Sequence, residues 1–463
     1  MFGLSDPAKQ GLRILIVGCG KVGANLVAQL SKEGHDITII DKSAQKIQNL
    51  TNQYDVMGIC GNGASYSTQK EAGIDDADLI IAVTESDELN LLCCTIAKQA
   101  TECAAIARVR TPDYNDDVNY LREKLGLALI INPELESANE IARILYLPTA
   151  LEVNSFAHNQ AIIVKFKLPE GNILNGMRLM DLGKKITHNI LVCAVERGGE
   201  VVIPSGNFQL AAGDTISFVG TQRNCRKFLT SIGFNTQQVK DTIIIGGGKS
   251  AFYLGEKLLH NGINVKIIEQ DLKRCEELSI LLPKAIIING DGTNEELLLE
   301  EGIIETESLV PLTGIDEENI MLTLYAKQVS NAKVITKINR ITFNDVINQL
   351  DLGSVVYPKF ITSEAIIAYV RARQASKDLN SIETLYHMFD GRVEAIEFIV
   401  NEDFPHLNVM LKDLSFKRNL LISLINRKGN AFIPGGFDCL KAGDTVMIVT
   451  THTGFNELTD ILL

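Results

Sequence analysis

Residues 13–23 read Arg-Ile-Leu-Ile-Val-Gly-Cys-Gly-Lys-Val-Gly, and residues 241–251 read Asp-Thr-Ile-Ile-Ile-Gly-Gly-Gly-Lys-Ser-Ala. Each is an apolar strand that runs into a glycine turn and on into a helix. In both places an acidic residue ends the next strand, Asp41 and Glu269. Gly18 and Gly246 stand 228 residues apart, and so do Asp41 and Glu269. A single G-x-G-x-x-G turn is weak evidence for dinucleotide binding. Two copies, each with its acidic partner in register, are much stronger.

The texture around the first turn predicts strands at 13–17, 36–40, 55–60, 78–83, 104–109 and 127–131. Helices are expected at 21–32, at 87–100 and from Pro133, a residue suited to a first helical turn. Runs such as Leu79-Ile80-Ile81-Ala82-Val83 are apolar throughout, which suits parallel strands buried on both faces. The alternation reads as α/β with a doubly wound parallel sheet over 1–148. After Pro148 come short β-like runs, Ala161–Phe166, Ile190–Val195 and Thr215–Val219, between glycine turns. They predict a small α+β or β-rich domain over 149–236. The α/β pattern restarts over 237–374, and a polar stretch, 375–390, leads into a last small domain over 375–463. Ile203-Pro204-Ser205-Gly206 matches Ile433-Pro434-Gly435-Gly436, and Ala212-Gly213-Asp214-Thr215 matches Ala442-Gly443-Asp444-Thr445, both 230 residues on. The layout is a tandem duplication: two Rossmann-like doubly wound domains, each followed by a small C-terminal domain.

Bulk properties narrow the class. The 463 residues are 46% hydrophobic, enough for globular cores, and no stretch approaches the roughly 18 apolar residues of a membrane helix. The start, Met1-Phe2-Gly3-Leu4, lacks the basic and apolar regions of a signal peptide. A soluble, cytosolic chain is expected. The nine cysteines form no C-x-x-C pair or metal-spaced cluster, which reads as reduced thiols, with Cys93 and Cys94 in the core. A net charge of −13 argues against a nucleic-acid surface and against an anionic membrane, but leaves a membrane-protein partner open.

The fingerprint assigns its residues separate tasks. Gly18 allows the tight turn, Gly20 lets the backbone approach a pyrophosphate, and Gly23 lets the helix pack closely. The helix N-terminus offers N–H groups and partial positive charge to phosphates. In the second copy Ala251 replaces the third glycine. Pro311 falls in the fourth strand, where it cannot donate a ladder hydrogen bond, so the strand must end early or bulge and distort the pocket. Asp41 and Glu269 suit the two hydroxyls of an adenosine ribose. They favour NAD over NADP and leave ATP, ADP and AMP open. The loops Gly61-Asn62-Gly63-Ala64 and Gly290-Asp291-Gly292-Thr293 end the third strands. Thr84-Glu85-Ser86-Asp87 and Thr313-Gly314-Ile315-Asp316 end the fourth, and read equally as helix caps with threonine bonding the free N–H groups. Arg108 and Lys337 end the fifth strands, where a cation meets either a terminal phosphate or solvent.

Together these residues resemble the RCK/KTN family, which regulates the conductance of potassium. The segments Ala82–Asn90, Arg108–Tyr114 and Asp316–Met321 share in that likeness. The resemblance implies regulation rather than catalysis. It implies a cytosolic homo-oligomer, taken as a tetramer, on the inner face of a membrane potassium channel or transporter subunit of the Trk/Ktr type. It also implies large domains that bind NAD or NADH, or alternatively ATP, ADP or AMP. By motif match, Gly18, Cys19, Gly20, Lys21, Val22, Gly23, Asp41, Lys42, Asn62, Gly63, Thr84, Glu85 and Arg108 line the first site. Gly246, Gly248, Lys249, Ser250, Ala251, Glu269, Asp291, Gly292 and Thr313 line the second. Ala251, Pro311 and Lys337 depart from the pattern, so the second site is expected to be the weaker, and Asp41→Ala to cost more binding than Glu269→Ala. Some family members bind cyclic dinucleotides in their small domains, but nothing legible in 151–233 or 388–463 supports that here. The competing class is an NAD-dependent oxidoreductase. The histidines at 35, 158, 188, 260, 387, 406 and 452 do not recur between the halves, and His35 and His260 are expected to be solvated.

Overall fold

The computed structural model describes residues 11–463, except 115–116, 158–159, 186–187, 340–346, 348–349, 376–381 and 390. The chain start, His158 and part of the 375–390 stretch therefore lie outside the described residues. The chain forms two compact units. One holds the residues up to Glu136 together with Pro358–Ile367; the other holds Ser137–Tyr357 and Ala368–Leu463.

The first unit alternates strand and helix: β1 (Arg13–Val17), α1 (Lys21–Leu30), β2 (Asp36–Asp41), α2 (Ala44–Thr51), β3 (Met57–Cys60), α3 (Tyr66–Glu71), β4 (Leu79–Ala82), α4 (Asp87–Ala100), β5 (Ala104–Arg108), α5 (Val118–Lys124) and β6 (Leu129–Ile131). Its sheet has the order β3-β2-β1-β4-β5-β6, and every pair is parallel. Ile14, Ile16, Ile37, Ile39 and Ile81 have at most 1% exposure, as strands covered on both faces require. Each such side chain contributes roughly 1.5–3 kcal/mol of burial. Cys93 and Cys94 are fully buried. His35, expected in solvent, is buried as well, with Nδ1 accepting from Leu12 N at 3.1 Å. The late segment Pro358–Ile367 joins this unit, and Ser363 accepts a bond from Asn25 of α1 at 2.9 Å.

The second unit begins within α6 (Pro133–Leu145) and holds three sheets. The first is built from β7 (Glu152–Phe156), β8 (Ala161–Lys167), α7 (Leu179–Lys185), β9 (Ile190–Arg197), β10 (Glu200–Val202), β11 (Thr215–Gly220) and α8 (Gln222–Ser231). Its order is β10-β9-β11-β8-β7, all antiparallel. The second is built from β12 (Asp241–Ile245), α9 (Lys249–His260), β13 (Asn264–Glu269), α10 (Leu272–Leu281), β14 (Ile286–Asn289), α11 (Glu295–Glu300), β15 (Ser308–Pro311), α12 (Asp316–Val329), β16 (Lys333–Lys337) and β17 (Ser354–Val356). Its order, β14-β13-β12-β15-β16-β17, repeats the first unit. After the helix Pro358–Ala375 come β18 (Ile382–Met388), β19 (Val393–Ile399), β20 (Leu420–Arg427), β21 (Asn430–Phe432) and β22 (Thr445–Thr450). Their order is β18-β19-β22-β20-β21, the first small sheet read from its other edge.

Two details show why the small sheets repeat. In each, the buried aspartate of the Ala-Gly-Asp-Thr turn takes two bonds from an arginine, Arg197 to Asp214 at 2.7 and 2.8 Å and Arg427 to Asp444 at 2.8 and 2.7 Å. Such a bidentate pair fixes the turn against the neighbouring strand. The two sheets also share one core, in which Phe156, Ile163, Cys193 and Val219 pack with Met388, Val393, Leu424 and Met447. The polar 375–390 stretch is not simply a linker, because β18 occupies Ile382–Met388 and buries Ile382, Leu385 and Met388.

Candidate functional site

The order of each parallel sheet reverses between its first and fourth strands in sequence, β1 beside β4 and β12 beside β15. Open α/β sheets bind ligands beyond the carboxyl ends of strands at such a point. Both glycine turns lie there.

The glycines are glycine for different reasons. Gly18 has φ +104° and Gly246 φ +99°, a left-handed conformation that side chains resist. A Cβ on Gly23 would lie 1.9 Å from Gly18 O, so α1 can approach its own turn only without one. Gly20 is under neither demand. Its φ is −74°, and a Cβ there would have no atom within 4 Å. Gly248, at φ −66°, is the same. Gly20 and Gly248, the residues before α1 and α9, make no side-chain cap, so no N-cap side chain covers the two helix starts.

The acidic partners bind the turns directly. Asp41 accepts from Cys19 N at 2.7 Å and from Ser43 N at 2.8 Å. Glu269 accepts from Gly247 N at 2.6 Å and from Asp271 N at 2.8 Å. Each carboxylate thus grips the middle of its turn and the start of the next helix, with lone pairs remaining. Cys19 is buried, and burial followed by the Asp41 charge pushes its thiol up to about 12. It stays protonated at neutral pH and is no nucleophile. In the second copy the middle position is bare: a Cβ on Gly247 would lie 2.7 Å from Leu278 Cδ1 and 3.0 Å from Glu269 Oε2.

The loops after the third strands are local turns. Asn62 accepts from Ala64 N at 3.3 Å, and Asp291 from Thr293 N at 2.9 Å. Gly63 and Gly292 underlie them, each with a would-be Cβ 2.2 Å from a methyl of Val17 or Ile245. Lys21, Lys42 and Glu85 are exposed, whereas Val22, Ser250 and Ala251 are buried and support the turns from within.

The expected threonine caps are corrected. Ser86 caps α4, accepting from Leu89 N at 3.1 Å, while α12 has no side-chain cap. Thr84 instead points its N–H and hydroxyl at Asn90 Oδ1, at 2.8 and 2.7 Å, and Thr313 does the same to Asn319 at 3.0 and 2.9 Å. Each asparagine is fully buried and reaches on to the fifth strand, Asn90 to Arg108 O at 2.9 Å and Asn319 to Lys337 O at 3.0 Å. Sequence reasoning assigned these asparagines no role. Nor did it assign one to Asp87, which accepts from Arg110 N, Thr111 N and Thr111 Oγ1, or to Asp316, which accepts from Asn339. The recurrence of Asp-x-x-Asn at both helix starts was the available signal.

Arg108 is not solvated at its strand end. Its guanidinium donates to Thr84 O, and burial, followed by neighbouring Arg110, pulls its pKa down. Lys337 Nζ likewise donates to Leu312 O at 2.9 Å. Only the ladder towards β16 is lost at Pro311 itself. β15 pairs with β16 at two positions, where β4 pairs with β5 at four. Towards β12 the pairing runs through Pro311, and Leu312 N still reaches Ile245 O at 2.7 Å, as Val83 N reaches Val17 O at 2.8 Å. The missing N–H therefore lies on the β16 side, and the strand keeps its register towards the turn without a bulge.

One further side chain enters the second site unpredicted. Arg274 of α10 donates from Nε to Gly247 O at 2.7 Å. Among the described residues no cluster of His, Cys, Asp and Glu is arranged to hold a metal, and no helix is long and apolar enough to cross a membrane.

Comparison with known proteins agrees with this geometry. The TrkA-N domain model matches residues 14–133 and again 242–358, and the TrkA-C domain model matches 163–233. The Trk system potassium uptake protein TrkA of Haemophilus influenzae is 30% identical over 444 residues, covering 94% of this chain and 95% of its own. The TrkA homolog 1 of Methanosarcina mazei is 30% identical over 455 residues, covering 96% and 99%. Among solved structures, the GsuK channel bound to NAD aligns with a TM-score of 0.62 at 15% identity, over 96% of this chain and 78% of that one. The GsuK RCK domain aligns at 0.61 and 16%, over 98% and 95%. At that identity the likeness is one of fold. Two matched domain models in tandem, with relatives aligned along nearly their full length, mean that the chain belongs to the TrkA family.

Proposed function

We propose that the chain is the nucleotide-binding regulatory subunit of a potassium uptake system and does no covalent chemistry of its own. It binds an adenine nucleotide at each glycine turn. NAD or NADH is the first choice; ATP, ADP and AMP share the recognised ribose. It works in the cytosol as a homo-oligomer, a tetramer in our reading, against a membrane channel or transporter subunit of the Trk/Ktr type. The relatives' role in potassium uptake and the NAD bound to the GsuK channel support this reading.

The observation that carries it is Gly20 and Gly248. The fold has a reason for the other fingerprint glycines, but it leaves these two room for a side chain at an ordinary φ. A ligand backbone contact is what the missing Cβ serves. The starts of α1 and α9 would hold the pyrophosphate, and Asp41 and Glu269 the ribose hydroxyls. Asn90 and Asn319 tie strand ends together behind the sites. Nucleotide that binds two shapes of the chain unequally shifts their balance, and allosteric coupling is typically about 1–3 kcal/mol.

The test is calorimetric titration of the purified chain with NADH, NAD, ATP, ADP and AMP. Two sites per chain are expected. Gly20→Ala and Gly248→Ala should each remove one, while ligand-free stability stays within about 1 kcal/mol of the parent, since both positions accept alanine. Undiminished binding in both variants, or nucleotide that binds without altering flux through the reconstituted partner, would sink the reading.

A further inference from the structure

The second glycine turn is held by a side chain outside the dinucleotide fingerprint. Arg274 Nε donates to Gly247 O at 2.7 Å, and its Nη1 donates to Glu277 Oε2 at 3.0 Å. Two bonds fix the plane of the guanidinium, yet 26% of the side chain is exposed. The N–H of the same Gly247 is held by Glu269 at 2.6 Å. Guanidinium and carboxylate therefore grip one residue from its two ends. In the first copy the position 228 residues earlier is Lys46, whose side chain is exposed.

The location matters for a nucleotide. Glu269 is placed for the ribose, and the start of α9 for the phosphates. Phosphate and base leave a ribose from opposite ends. A base on that ribose would lie beyond it, towards the connection from β13 to α10, and Arg274 projects from the first turn of α10 back to the glycine turn. A planar guanidinium held in place offers a stacking face and cation–π attraction to an aromatic ring, which a mobile ammonium does not match.

We propose that Arg274 is the base-stacking, specificity-determining residue of the second site, so that the two sites rank nucleotide bases differently. This rests on the nucleotide-binding reading above. The test titrates the full chain carrying Asp41→Ala, which silences the first site, with ADP and with UDP. The two ligands share ribose and diphosphate and differ in base. Arg274→Ala is expected to weaken ADP about tenfold while UDP holds its affinity. Arg274→Lys keeps a cation and a donor for Gly247 O, so it keeps the turn braced if the alanine variant fails to fold. It should lose the preference for ADP all the same. Parallel losses of ADP and UDP would mean that Arg274 only braces the turn, and would overturn the proposal. A lysine that restores the preference would overturn it too. If the parent binds ADP once and Asp41→Ala abolishes that binding, this proposal falls together with the second site, and the regulatory reading stands on the first site alone. If the parent binds no nucleotide, both fall.

Discussion

The two glycine turns reach the same geometry with different residues. The first sets a cysteine against an aspartate, Cys19 and Asp41; the second sets a glycine against a glutamate, Gly247 and Glu269. The space that the cysteine side chain fills in the first copy is taken in the second by Leu278 and by the longer acid, whose atoms lie 2.7 and 3.0 Å from a would-be Cβ on Gly247. Both carboxylates then hold matching N–H groups within 0.1 Å of one another, 2.7 against 2.6 Å on the turn. A duplicated site has thus drifted in sequence by compensation. Signs of decay in the second copy, Ala251 and Pro311 among them, leave its turn intact.

The sharpest way to break that comparison is to remove the carboxylates. Asp41→Ala and Glu269→Ala each delete charge-assisted bonds worth about 1.5–3 kcal/mol apiece, so each should weaken its own site about a hundredfold. Matched geometry gives no structural ground for ranking Asp41 above Glu269. Calorimetry that shows one site lost and the other unchanged would support two independent pockets. Loss of both from either single change would show that they act as one.

Next in size is an exchange of residues between the turns. Gly247→Cys puts a side chain into occupied space and should destabilise by about 1–3 kcal/mol. Adding Glu269→Asp should return most of that loss, while Cys19→Gly in the first copy should cost less. Urea midpoints measure all four chains. If the double variant is no better than the single, the compensation argument is wrong.

The smallest effect concerns a lysine peculiar to the second sheet. Lys333 opens β16 where Ala104 opens β5, and it donates to Ala150 O at 2.5 Å. Burial, with Lys327 adding, pushes it down to about 8. Its unfolded value is near 10.4, so between the two the unfolded chain binds more protons and stability rises with pH. Relative to Lys333→Met, the parent should gain on the order of 1–2 kcal/mol from pH 7.5 to 10. A difference that stays flat with pH would show an ordinary lysine.

Legibility in the sequence followed periodicity. Helix α4 falls on 87–100 as its pattern predicts, and every strand of the first parallel sheet was anticipated; the four inner ones are mostly buried and therefore nearly continuously apolar. β7 was not, since Glu152-Val153-Asn154-Ser155-Phe156 mixes polar residues into a strand that pairs with β8 and needs no apolar run. In the sites, glycines and acids were legible because their chemistry is fixed by the motif. Asn90 and Asp87 were not, because their work depends on strand ends meeting across the sheet, nor was Arg274, whose work depends on a helix folding back onto the glycine turn. His35 looked solvated beside its glycine and is buried, because the turn folds back under Leu12.

Pro358–Ile367 follows the second sheet in sequence and belongs to the first unit, where Ser363 meets Asn25. The duplication is therefore not reversible by a simple cut. Each half carries a complete parallel sheet, a glycine turn and a small domain, and reads as a self-sufficient gene. A lineage that split the reading frame between the halves would leave the segment Pro358–Ile367 of the first unit, the opening part of a longer helix, on the other polypeptide. Both products would then have to be made together and find each other. That segment ties the two halves into a single heritable piece.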